Sequence, residues 1–130
     1  MSYELLDMGT YLHIRFFGVV ESKDFTSLFK DFRKYEDLCQ VIPCRISTLS
    51  DISDFIIQFS TMLPIAQDRG ITKLSVPVKS AIVASRPIEK AMASMIKSLN
   101  MNPDISIAIF STLPEAETWI IEANATNHIS

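Results

Sequence analysis

The side chains able to do chemistry in this sequence are few and scattered. His13 and His128 are its two histidines, and 115 positions separate them. His13 falls on the outer face of an expected strand, where an ordinary half-exposed imidazole is a plainer reading than a general base. Neither histidine has a Cys, Asp or Glu partner at ligand spacing, so no metal site and no catalytic site is expected. Cys39 and Cys44 lack the spacing of a metal knuckle or a redox pair. They read as reduced, partly buried thiols, with a reversible bridge between them as the alternative. Gly9, Gly18 and Gly70 are dispersed and make no phosphate loop. Ser85 and Ser111 each follow a strand-like run, where α/β proteins place active groups, yet neither sits in a nucleophile elbow. A cap or loop role suits both, and no cofactor is expected.

Charge supplies the feature that departs from background. Between positions 69 and 97 lie Arg69, Lys73, Lys79, Arg86, Lys90 and Lys97 with Glu89 as the lone acid, a local charge of +5 against −8 in the remaining chain. Such a dipole biases encounter with an acidic patch, a phosphate or an anionic lipid surface, unless the lysines simply solvate a helix face and a loop. Arg86 has the strongest claim, because it is expected where a strand ends and a helix begins and backbone donors could join it around an anion. Lys79 and Lys90 are its nearest cationic companions. Met62, Met92, Met95 and Met101 suggest either plain core or a lipophilic pocket, since methionine adapts to loosely shaped apolar ligands. Arg86, Lys79, Lys90, Met92 and Met95 together form the expected anion or ligand set.

The elements that position these residues centre on Lys79 to Phe110. Two short apolar runs, Ala81 to Ala84 and Ile105 to Phe110, flank a helical pattern from Arg86 to Leu99, a βαβ crossover with both strands parallel and central. Ile88, Met92, Met95, Ile96 and Leu99 are its inner stripe, with Pro87 in the first turn and Asn100 to Pro103 beyond the last. Upstream, Tyr3 to Met8 and Tyr11 to Val20 around Gly9-Thr10 predict a β-hairpin. In its second run Leu12, Ile14 and Phe16 form the core face, whereas Tyr11, His13, Arg15 and Phe17 form a solvated face or a partner-contact surface. Phe25, Leu28, Phe29 and Phe32 have helical spacing, with Ser22 as N-cap, Asp24 in the first turn and an end near Leu38.

Cys44 to Leu49 predicts a third strand. Ser50 to Asp54 then forms a cluster of capping side chains ahead of a helix whose stripe is Phe55, Phe59, Met62 and Ala66. Pro64 kinks that helix or splits it near Leu63, and Gly70 ends it. Residues 71–78 are expected as a loop with a short extended piece. Thr112 and Glu115 have capping-box spacing for a closing helix with Ala116, Trp119, Ile120 and Ala123 inward. The order is ββαβαβαβα, an α/β domain in which an antiparallel hairpin joins parallel strands and helices pack on the sheet. One domain over residues 1–124, with a frayed tail beyond, fits the 130-residue length.

Composition narrows the function classes. Twelve Lys+Arg against 15 Asp+Glu leave a net charge of −3. That disfavours nucleic acid as a partner. Met1 to Glu4 has no signal-like start, and the longest uncharged window, Phe55 to Gln67, is too short and polar to span a bilayer. A soluble, cytoplasmic protein without a transmembrane segment is expected.

The hairpin start, the strand from Cys44 to Leu49 with its Ser50 to Asp54 cap, Lys79 to Ser85 with the helix after it, and Leu113 to Ile120 together resemble the STAS superfamily in its SpoIIAA-like branch. The likeness spans nearly the whole chain and rests mostly on core positions, so it speaks to fold more than function. In antagonists of anti-sigma factors with this fold, a serine opening the helix after the third strand is phosphorylated within an Asp-Ser-Ser-Gly-like run. The corresponding stretch here is Asp51 to Phe55, which makes Ser53 the implied phosphoacceptor. No glycine follows it, and Asp54 would oppose an added phosphate. The resemblance, the lack of a catalytic constellation and the Tyr11, His13, Arg15, Phe17 row together predict a non-enzymatic regulatory or protein-interaction module, a homodimer that binds a protein partner through one sheet edge or helix face. The alternative is a carrier or sensor of a small lipophilic or anionic ligand.

Overall fold

The structure, a computed structural model, describes residues 2–38, 44–71 and 78–129. The expected order of elements is the one observed: β1 (Tyr3–Asp7), β2 (Tyr11–Glu21), α1 (Ser22–Leu38), β3 (Cys44–Ile56), α2 (Phe59–Ile71), β4 (Val78–Val83), α3 (Pro87–Leu99), β5 (Ile105–Phe110) and α4 (Leu113–Ile129). Among the described residues five strands form one sheet in the order β1-β2-β3-β4-β5. The β1–β2 pair is antiparallel and the other pairs are parallel.

The hairpin turns where a local hydrogen bond and a glycine agree. Asp7 Oδ1 accepts from Gly9 N (2.9 Å), Met8 N donates to Tyr11 O (3.0 Å), and Gly9 has φ +85°. That left-handed backbone suits a residue without Cβ. At α1 the capping roles differ from expectation. Ser22 Oγ accepts from Gln58 N across the fold, while the buried Asp24 carboxylate accepts from Glu21 N (2.8 Å) and Ser2 N (3.2 Å). An acid in the first turn can satisfy the orphan donor before the helix, which frees the serine to hold another segment.

Three further expectations are corrected. The strand expected to stop at Leu49 runs on to Ile56, so Ser50 to Asp54 is strand and not a helix cap. The cause is β2, eleven residues long, which pairs Asp51 with Phe17, Ile52 with Gly18 and Asp54 with Val19 across two register shifts. Ladder hydrogen bonds to that long neighbour outweigh the local preference of Ser and Asp for caps. Phe55 accordingly belongs to β3, and α2 starts at Phe59. Secondly, of the two outcomes expected at Pro64 the split does not occur: α2 is continuous from Phe59 to Ile71 with the proline inside it. Thirdly, β4 and β5 are parallel neighbours in register from Val78↔Ile105 to Val83↔Phe110, but β5 is an edge strand and not a central one. Residues 72–77 of the expected loop lie outside the described residues.

Strand alternation divides the sheet into two faces. Leu12, Ile14 and Phe16 of β2, Leu49 of β3 and Ile82 of β4 share one cluster with Phe25, Leu28 and Phe32 of α1, Met62 of α2 and Met92 of α3. On the other face Cys44, Ile46 and Ala81 meet Ala116 and Ile120 of α4, with Trp119 tilted against Phe110. Three helices cover the inner face, and α4 covers part of the outer one.

A fully buried inner-face aromatic should dominate its exposed neighbour in energy. Phe16→Ala is expected to lower stability by about 3–5 kcal/mol. Phe17→Ala, on the outer face, should cost about 1 kcal/mol. Urea unfolding of both variants checks this, and equal losses would contradict the assignment of faces.

Candidate functional site

Under the three helices the inner face is not completely filled. A cavity of about 100 Å³ lies between the amino-terminal halves of β3, β4 and β5 and the helices α1, α2 and α3. Its lining is apolar on the helix side, where Phe25, Leu28, Phe32, Met62 and Met95 contribute, and includes Ser47 and Ser80 on the sheet side. Arg45 is the one charged residue among the described residues of that lining.

Alternation along β3 explains how the arginine enters. Arg45 pairs with Leu12 on one side and Ser80 on the other, and Ser47 is two residues along on the same face. Only 4% of Arg45 is exposed, and its guanidinium carbon stands 4.0 Å from the centroid of the Phe32 ring. A guanidinium is the cation best suited to such a place, because it is weakly hydrated and stacks on aromatic faces while its edge still offers donors.

The expected anion set is dispersed by the fold. Arg86 does precede α3, but its Nε donates to Glu89 Oε2 and its Nη2 to Ser50 O (3.1 Å) and Ile52 O (2.8 Å). Glu89, 2% exposed, also accepts from Ser85 N (3.2 Å) and Arg86 N (3.1 Å). This clasp ties the start of α3 to the distal half of β3. Burial raises the Glu89 pKa, but the hydrogen bond from Arg86 and those from two backbone N–H groups outweigh it, and the net direction is downward. Lys79 is on the outer face, its ammonium 4.7 Å from the Trp119 ring centroid, and Lys90 is exposed on α3. Met92 is wholly buried core, whereas Met95 does line the cavity. The side chain of Arg69 and all of Lys73 lie outside the described residues.

The row from β2 is on the outer face, as expected, and is half-buried. Tyr11 packs beside the α4 cluster, and His13 Nε2 is 2.8 Å from Thr48 Oγ1. Burial is the largest influence on His13 and lowers its pKa; Arg15 acts in the same direction against Glu4 and Glu117. Arg15 bridges Glu4 (2.7 Å) and Asp51 (2.8 Å) and stands over Phe17. Ser53 is exposed within β3, six residues before α2 begins at Phe59, so it does not open a helix as the resemblance implied. Cys44 is buried, while Cys39 and the side chain of His128 lie outside the described residues. Among the described residues no group of three or more His, Cys, Asp or Glu could hold a metal ion, and no helix is long and apolar enough to cross a membrane.

Sequence reasoning missed Arg45. The signal was present in the alternation Cys44-Arg45-Ile46-Ser47, where Arg45 and Ser47 share a face. A strand covered on both sides buries its polar set as well as its apolar one.

No family model matches the sequence, and no curated protein does. Among solved structures the chain is similar to an uncharacterized protein of the DUF3478 family, with a SpoIIAA-like fold, from Shewanella loihica PV-4. Sequence identity is 10%, 91% of each chain is covered, and the TM-score is 0.55. The fold is therefore SpoIIAA-like, as the resemblance implied, with the hairpin, parallel strands and packed helices expected of it.

The clasp has a pH signature. A carboxyl whose folded pKa is depressed adds stability above its unfolded value, near 4.5, and loses it as pH falls through the lower folded value. Glu89→Gln should cost about 2 kcal/mol at neutral pH and flatten this acid limb. Thermal unfolding from neutral pH down into the acid range checks both, and an unchanged acid limb would remove Glu89 from this role.

Proposed function

We propose that this chain is a non-enzymatic carrier or sensor of a small amphiphilic anion, held in the inner-face cavity with its charged group at Arg45. The observation that carries the reading is the placement of one buried guanidinium, stacked on Phe32, in the wall of a largely apolar space. Ligand sites in general combine an apolar enclosure with few convergent polar groups, and Arg45, Ser47 and Ser80 supply donors here. A guanidinium carries five donors, so it can serve a ligand and the chain together.

Size restricts the ligand. At about 100 Å³ the space is smaller than the engineered apolar cavity of about 150 Å³ that admits benzene. The buried part is then a short alkyl chain of about four carbons, no bulkier than benzene. A carboxylate is the anion that a guanidinium edge matches best in a planar, two-point contact.

A second reading, contact with a protein partner, is favoured by the outer face of the hairpin. Leu6 and Val19 are each 42% exposed there, around the Glu4–Arg15–Asp51 ion triad. A photo-cross-linker placed at Phe17 should capture one partner in cells that the same group at Lys97 does not; equal capture at both would remove this reading.

For the carrier reading, pentanoate and 1-pentanol are the probes. Titration followed by methyl chemical shifts should show saturable pentanoate binding, with pentanol weaker. Arg45→Met, which keeps the volume and removes the charge, should weaken pentanoate by about tenfold or more while sparing pentanol, since a charge-assisted hydrogen bond contributes about 1.5–3 kcal/mol. Equal binding of the two probes by the wild type would contradict the role given to Arg45.

A further inference from the structure

The two edges of the sheet are built differently. β1, one edge, carries Glu4 and Asp7 within five residues. β5, the other edge, is Ile105-Ser-Ile-Ala-Ile-Phe110, with no charge and no proline, and it pairs with β4 residue for residue without a shift. Edge strands open to solvent are usually blunted by charge, proline or a bulge, because a bare edge pairs with whatever strand arrives. Among the described residues β5 has none of these defences.

The direction of its free backbone groups follows from two hydrogen bonds. Val78 N donates to Asp104 O (2.8 Å) and Ala84 N to Phe110 O (2.8 Å). In an unbroken parallel ladder between them, Ser106, Ala108 and Phe110 bond to β4, and Ile105, Ile107 and Ile109 direct N–H and C=O away from it. At Ile105 both groups are met inside the chain, by Asn102 O (3.2 Å) and Asn100 Nδ2 (2.9 Å). Ile107 and Ile109 remain as the outward pair.

We infer that β5 pairs antiparallel with β5 of a second copy, about a two-fold axis at Ala108, to join two five-stranded sheets. This register is selected by the outward groups. It places Ile107 opposite Ile109 of the other copy, so each outward N–H meets an outward C=O and four hydrogen bonds close the junction. The side chains agree with it. At the axis, where opposed residues of a non-hydrogen-bonded pair come closest, stands Ala108, the smallest residue of the strand. On the outer face Ser106 falls opposite Phe110, a small residue against a large one. On the inner face Ile107 meets Ile109, a β-branched pair that continues the core across the junction. No charge is buried by the pairing, and an isologous two-fold contact is closed, so assembly stops at two.

Sedimentation of the full chain and cysteine trapping test this together. Wild type is expected to sediment at twice the chain mass. Ile107→Pro removes an outward N–H that β4 does not use, a place where an edge strand tolerates proline, and should weaken the dimer by at least about tenfold. Ala108→Cys should give a disulfide-linked dimer under mild oxidation, since the Cα separation of such a pair, about 4.5 Å, falls within the range for a disulfide. Ser106→Cys, displaced from the axis, should not. If Ile107→Pro fails to fold, the cysteine pair decides alone. A wild type that stays monomeric over the whole concentration range overturns the inference. So does a dimer in which Ala108→Cys is no more readily trapped than Ser106→Cys.

Discussion

Parallel strands present side chains on both faces, and water is a poor neighbour for either one when the strands are Val-, Ile- and Leu-rich. The architecture is a response to that constraint. Between β3 and β5 each face has helical cover, α1, α2 and α3 inside and α4 outside. The antiparallel hairpin needs only one covered face, and the exposed row of β2 is where that economy shows. Ile14, Ile46 and Ile82, on three adjacent strands, are all excluded from solvent, the first and third facing inward and the second outward.

Double cover also sets the electrostatics. An arginine on a doubly covered strand cannot reach water by a simple change of rotamer, so Arg45 stacks on Phe32 within the apolar layer. Burying a cation is costly unless something offsets it, and an aromatic face offsets it in part. Arg86 shows the opposite solution. It sits at the carboxyl end of the sheet, half-exposed, and is spent on holding Glu89 and the backbone of β3. Of two arginines that looked comparable as letters, one closes a joint and the other lines a space.

Much of the fold was legible in the sequence because its signals were local and periodic. The stripe Met92, Met95, Ile96, Leu99 and the cap spacing of Thr112 and Glu115 depend on neighbours three or four residues away, and both elements were found where expected; Thr112 Oγ1 bonds Glu115 Oε1 at 2.8 Å. The Ser50 to Asp54 segment misled because its fate depends on β2, more than 30 positions upstream. The cavity was illegible for the same reason. Its wall draws on four strands and three helices, which no short stretch of sequence brings together. The edge position of β5 likewise follows from strand order, which no short stretch encodes.

The central claim is that the inner face holds a largely apolar space beside Arg45. Xenon, which enters apolar cavities and ignores charge, probes it without assuming a ligand. Methyl spectra recorded under rising xenon pressure should show saturable shifts confined to Leu28, Met62, Ile82, Met95 and Ile107. Shifts that are absent there, or spread over exposed methyls such as those of Leu6 and Val19, would contradict it.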